Sequence, residues 1–188
     1  MRAISEWAEL ADAASVKSLA VIAVCAVVLT AASATAAGTF AVVDTDGQIG
    51  SFRIDQTTEA QLRTVMGKPI KVENQFFPPK KRPVGHTLYY KCGPGCLTAY
   101  SINRATGKLS DFWTRDPHFV TKRGSHADMS VANATRREGR QFLPGCGDGL
   151  YLHLRWDDTH VFVLTAWHGR VTGITYLGPH SVYYDGLC

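Results

Sequence analysis

Two stretches of this chain follow one pattern, and that recurrence constrains the fold more than any other feature. Gly107-Lys108-Leu109-Ser110-Asp111-Phe112-Trp113 lines up with Gly169-Arg170-Val171-Thr172-Gly173-Ile174-Thr175. Each begins at a glycine turn and continues with a basic residue. Apolar residues then fall at alternate positions, the period of a strand with one buried face. Pro117 and Pro179 follow at the same offset. The wider order of elements repeats as well: helix, three strands, helix, three strands. Such an order points to duplication of one unit.

The first helix is the clearest. Thr57 or Thr58 caps it, Glu59 and Gln61 fall in its first turn, and Leu62, Val65 and Met66 form a stripe at helical spacing. Gly67 ends it, with Pro69 just beyond. Residues 71–83 then read as a loop rich in proline and charge. Residues 87–91, 97–102 and 108–114 read as a three-stranded antiparallel meander. Residues 115–129 read as a polar loop and 131–142 as a second helix, capped by Asn133 and weakened by Gly139. Strands return at 150–156, 160–167 and 170–177, and residues 181–184 are an edge-strand candidate. Residues 37–50 read as an extended lead-in with turn chemistry at Asp44-Thr45-Asp46-Gly47. Its Asp-x-Asp-Gly lacks the later ligands of a calcium loop.

The chain ahead of these elements has a different character. Residues 18–34 hold no charge and are rich in Ala, Val, Leu and Ile. Lys17 precedes the run and Ala34-Thr35-Ala36 follows it. Basic flank, apolar run and A-x-A form the pattern of a secretory signal peptide, with cleavage expected after Ala36, or else after Ala34. The region ahead of the run is long and carries Glu6, Glu9 and Asp12, so the alternatives are a translation start later than Met1 or a segment retained as a membrane anchor. A run of about 17 residues is at the short end of what spans a bilayer. Cys25 lacks the small preceding residue of a lipoprotein site. Residues 37–188 then make a single α+β domain with two repeat units, about 49–117 and 128–179.

Without Cys25, four cysteines remain: Cys92, Cys96, Cys146 and Cys188. An even count in an exported chain implies disulfides, and four cysteines allow three pairings. Cys92–Cys96 and Cys146–Cys188 are the favoured set. Cys92-Gly93-Pro94-Gly95-Cys96 reads as a tight turn between strands, and Cys146 would tie down the last residue. C-x₃-C is not the C-x₂-C of a zinc knuckle, and no nearby ligand pair completes a metal site.

The chemistry-bearing motifs are sparse. The histidines form neither H-x-x-x-H nor H-E-x-x-H, and there is no G-x-S-x-G elbow or phosphate-cradling glycine loop. No catalytic residue, cofactor or metal ligand is assigned. Asp157, Asp158 and His160 are the densest polar cluster, readable as a hairpin turn or as the site of a small secreted hydrolase. The chain carries 20 Lys+Arg against 16 Asp+Glu, formal net charge +4. The one tight basic cluster, Lys80-Lys81-Arg82, reads as a solvated loop, so no nucleic-acid partner is expected. Aromatic residues on strands are the stronger hint, because adjacent rings such as Tyr89-Tyr90 cannot both enter the core. Tyr90, Tyr100, Trp113, Arg155, Trp156 and Trp167 are the candidate contacts for an extracytoplasmic protein or cell-envelope component.

The stretch from Ile49-Gly50-Ser51-Phe52-Arg53 through Thr58-Glu59-Ala60-Gln61-Leu62 to Met66-Gly67-Lys68-Pro69 resembles the opening of proteins related to β-lactamase inhibitory protein and the SmpA/OmlA outer-membrane assembly lipoproteins. Asp55-Gln56 stands where those families have Gly-Met. The resemblance implies two helix-plus-meander units whose strands form one curved sheet with helices on one side. It also implies one disulfide per unit and a concave sheet face that grips a partner protein. It does not by itself carry function.

Overall fold

The computed structural model describes residues 40–76, 82–145 and 149–181. The leading apolar run, the Lys80-Lys81-Arg82 cluster, the Cys146–Cys188 pairing and most of the 181–184 edge-strand candidate involve residues outside this set. What is described is a mixed α+β fold, mostly β.

Two short helices form, each for a local reason. α1 (Glu59–Met66) starts at Thr58, whose hydroxyl accepts from the Gln61 N–H while the Gln61 side chain accepts from the Thr58 N–H. This reciprocal capping box satisfies two otherwise orphaned donors. Gly67, at φ 75°, ends the helix. α2 (Val131–Glu138) starts at Ser130, whose side chain accepts from the Asn133 N–H. Asn133 is therefore inside the helix and not its cap. Gly139 adopts the left-handed conformation that terminates α2, so the helix stops short of residue 142. Leu62 and Ala134, at the same interval after their caps, are both fully buried.

Twelve strands flank these helices among the described residues. β1 (Ala41–Val43), β2 (Gln48–Ile49), β3 (Phe52–Arg53) and β8 (Phe119–Thr121) form a small sheet in the order β3-β2-β1-β8. Residues read as a lead-in and as a polar loop thus pair with each other, Ala41 opposite Phe119 in a parallel ladder. The large sheet comprises β4 (Lys71–Gln75), β5 (Gly85–Gly93), β6 (Cys96–Asn103), β7 (Leu109–Thr114), β9 (Leu143–Pro144), β10 (Leu150–Trp156), β11 (Val161–Trp167) and β12 (Arg170–Leu177). Its order is β4-β5-β6-β7-β12-β11-β10-β9. The two meanders meet through their last strands, with Ile174 opposite Thr114 and Leu177 opposite Asp111.

Each helix is also tied to the strand that closes its half. Thr58 bridges to Lys108 and Ser130 to Arg170, the basic residue after the turn glycine in each case. Asp55 and Asp128, both at positive φ, donate their N–H groups to the Leu109 and Val171 carbonyls respectively, each at 2.8 Å. Leu109 and Val171 return bonds to Thr57 and Met129.

The core lies between one face of the large sheet and the helices with the small sheet. Tyr100, Phe112, Leu152, Phe162, Leu164, Ile174 and Tyr176 meet Leu62, Ala134, Val43, Ile49 and Phe52 there. Burial of these side chains is the main stabilising force. The rings pack edge-on or tilted: Tyr100 touches Phe52, Tyr90 and Phe112.

Candidate functional site

Strand alternation sends a second set of side chains to the other face of the large sheet. Tyr89, Leu97, Ala99, Trp113, Thr175 and Leu177 line a recess of about 480 Å³ there. A second recess, of about 740 Å³, is lined by Cys96, Arg115, Asp128, Tyr151, Thr165 and Trp167. A lining residue of each is in contact with one of the other: the Arg115 guanidinium lies 5.3 Å from the centre of the Trp113 ring. A cation over an indole face is attracted by the ring's quadrupole. Gly173 makes room for that indole. A Cβ there would stand 3.3 Å from Trp113 Nε1 and 2.8 Å from the Thr114 carbonyl oxygen.

The hairpin beside the second recess is held by the Cys92–Cys96 disulfide, whose Cα atoms are 5.1 Å apart. This is the expected bridge across the β5–β6 turn. It fixes the Pro94-Gly95-Cys96 wall of the recess.

The six expected contact residues do not assemble as one patch. Tyr90 and Tyr100 face the core, at 6% and 0% exposure, and are packing residues. Their parity decides this, since Tyr90 shares a face with buried Leu88 and Tyr100 with buried Ile102. Tyr89 is the ring of its pair that reaches the open face, where Lys71 Nζ lies 5.4 Å from its centre. Trp113 sits on the open face and Trp167, 41% exposed, lines its larger recess. Trp156 is 55% exposed and stacks on His153 at 4.5 Å, beside the small cluster of Val161, Val163, Leu177 and Tyr151.

Arg155 departs most from expectation. Strict alternation along β10 puts it beside His153 and puts Trp156 beside Leu152. A bulge between His153 and Arg155 shifts the register, pairing Arg155 with Phe162 and Trp156 with Val161. One extra residue reverses the facing of everything beyond it. Arg155 therefore turns to the helix side, donating to Asp157 Oδ2 at 2.5 Å and to the Thr45 carbonyl at 2.8 Å.

The Asp157-Asp158-His160 cluster is a built turn. Asp157 Oδ1 accepts from the Thr159 N–H at 2.9 Å, the Thr159 hydroxyl at 2.7 Å and the His160 N–H at 2.8 Å. The Thr159 and Arg155 bonds hold this carboxyl far below the usual range. His160 is held below its ordinary value by burial and by Arg155. Among the described residues, no three His, Cys, Asp or Glu side chains are placed to hold a metal ion, and no helix is long and apolar enough to cross a membrane.

One polar group on this sheet has no forewarning in the sequence. Asp111 faces the open side from the seam between β7 and β12, but is buried. Burial pushes its carboxyl up to about 7, against hydrogen bonds from Ser181, Ser110 and the Gly178 N–H. Nearby Asp55 raises it further and is itself raised by burial. Among the described residues, neither Asp55 Oδ1 nor Asp111 Oδ1 has a hydrogen-bond partner. Parity with Leu88 finds Tyr89 as an open-face group, and parity with Trp113 finds Arg115 and Asp111; nothing local marks Asp111 as buried.

No family model matches the chain, and no curated protein matches it. Among solved structures, the chain is similar to an extracellular protein containing an SCP domain from Bacillus anthracis str. Ames, at 9% identity and TM-score 0.43. That match covers 65% of this chain and 43% of the other, so the chain spans less than half of the protein it resembles.

Proposed function

We propose that this chain is an exported, non-enzymatic binding domain that grips a partner protein on the open face of its large sheet. The observation that carries the reading is the Trp113–Arg115 stack, which joins a lining residue of one open recess to a lining residue of the other. Interface hot spots are enriched in Trp, Tyr and Arg gathered in recesses, and the smaller recess, mostly apolar with a few polar groups, has the character usual for recognition sites. Trp167 and Tyr151 extend the patch within the larger recess. Trp156, exposed at the far side, is an outlying contact.

Three further features support the reading. The apolar run over residues 18–34 and the following A-x-A motif favour export, and the Cys92–Cys96 disulfide suits an oxidising compartment. Pairing of Cys146 with Cys188 would complete the set. The matched caps Thr58 and Ser130, with their ties to Lys108 and Arg170, favour descent from one duplicated unit, in the manner of the inhibitor-like families.

The test is a comparison of the wild-type protein with Trp113→Ala, Arg115→Ala and Trp167→Ala variants. Each is immobilised and exposed to envelope and culture-fluid proteins of its host. The reading expects a stoichiometric partner that the three variants lose. A control variant on the helix side, Val65→Ala, should keep it, since Val65 is exposed on α1. Equal capture by all forms, with native circular dichroism throughout, would overturn the open face as the binding site.

A further inference from the structure

The two edges of the large sheet are not alike. β9 closes one edge with two residues, and Pro144 supplies no N–H there. Among the described residues β4 forms the other edge, and its Lys71, Val72, Glu73 and Asn74 are all exposed. An open strand presents a row of unused backbone donors and acceptors that pair readily with another strand. Ile70 at 61%, Val72 at 50% and Phe76 at 55% exposure add apolar side chains along the same edge.

The charges on β4 are self-complementary. Lys71 and Glu73 lie on the open face, where they pair with each other at 3.0 Å and both meet Tyr89, Lys71 over its ring and Glu73 accepting from its hydroxyl at 3.1 Å, so a dimer would join two such pairs into one four-charge network. Val72 lies between them and points the other way. In an antiparallel pairing of two β4 strands about Val72, Lys71 of each copy stands opposite Glu73 of the other. Val72 then meets Val72. Opposite charges directly across a strand pair stabilise it and like charges disfavour it.

We infer that β4 is a self-association edge, where two copies of this chain join their large sheets antiparallel about Val72, with reciprocal Lys71–Glu73 pairs setting the register. This does not rest on the open-face reading, because edge and face are different surfaces. The backbone ladder and the Val72 contact supply the attraction. The charge pairs choose the register, since exposed pairs contribute little alone.

The experiment is sedimentation velocity on the purified full chain, in the form its expression yields, over a wide concentration range at low and moderate salt. The wild type is expected to double in mass as concentration rises. Glu73→Lys and Lys71→Glu should each dimerise several-fold more weakly, most clearly at low salt, because like charges then face each other in both pairs. An equimolar mixture of the two variants, or the double swap K71E/E73K, should recover the doubled mass. Circular dichroism on every form separates this from misfolding. A wild type that is monomeric throughout would overturn the inference. So would single variants that dimerise as well as wild type, since the association would then use another surface.

Discussion

Asp111 stands directly opposite Leu177 where β7 meets β12, so a carboxyl group is buried at the join between the two halves of the large sheet. Its folded value near 7 is well above that of an unfolded aspartate. The fold therefore binds this proton more tightly than the unfolded chain does. By linkage, the group costs nothing below the unfolded value. The cost grows as pH rises from about 4 to about 7 and is constant above that. Asp111→Asn should be more stable than wild type at pH 8, by up to about 4 kcal/mol, with the gap closing by pH 4. Chemical denaturation of both proteins at the two pH values measures this. An Asn variant that is less stable at pH 8 would show that the carboxylate is held charged.

Ser130 and Asn133 offer a direct comparison of cap and interior. Ser130→Ala should cost about 1 kcal/mol, because the Asn133 N–H loses its acceptor. Asn133→Ala should be neutral or slightly stabilising, since alanine has the higher helix propensity. Urea midpoints of the two variants distinguish these outcomes.

Gly173→Ala tests the seating of Trp113. The added methyl would press on the Thr114 carbonyl at 2.8 Å and on the indole at 3.3 Å. Overpacking of this kind costs about 1–3 kcal/mol. A lower unfolding midpoint with a changed near-ultraviolet dichroism band is expected, and an unaltered spectrum would mean that the indole sits elsewhere.

Opening the Cys92–Cys96 bridge should destabilise the fold by about 2 kcal/mol, the value for so short a loop. The Cys92→Ser/Cys96→Ser variant is expected to fold, with a lower thermal midpoint. Because Cys96 lines the larger recess, affinity for a partner at the open face should fall more than stability does.

These sites also show how far the sequence could be read. Leu62 with Gly67, and the Cys92–Cys96 turn between two apolar runs, are local signals and were legible. The join of β7 to β12 involves strands far apart in sequence, and periodicity carries no information about which edges meet. β4 was invisible because Lys71-Val72-Glu73-Asn74 is exposed on both faces, so no alternation marks it. Strict alternation puts Trp156 and Arg155 on the wrong faces, because a bulge leaves no trace in a hydropathy pattern. The start of α2 is ambiguous in sequence because Ser130 and Asn133 are equally good cap residues by type. Once Ser130 is the cap, Ala134 falls opposite Leu62 and Gly139 opposite Gly67.

The position of β12 has a consequence for how the chain reaches this state. The last strand among the described residues lies in the middle of its sheet, between β7 and β11. Every pairing it makes with β7 joins residues distant in sequence, the kind of contact that slows folding. Until Arg170–Leu177 arrives, β7 and β11 are both raw edges, and a chain halted before that point would carry two adhesive borders instead of a finished sheet. Arg170–Leu177 must therefore be in place before the large sheet can close, and truncations that remove this strand should aggregate.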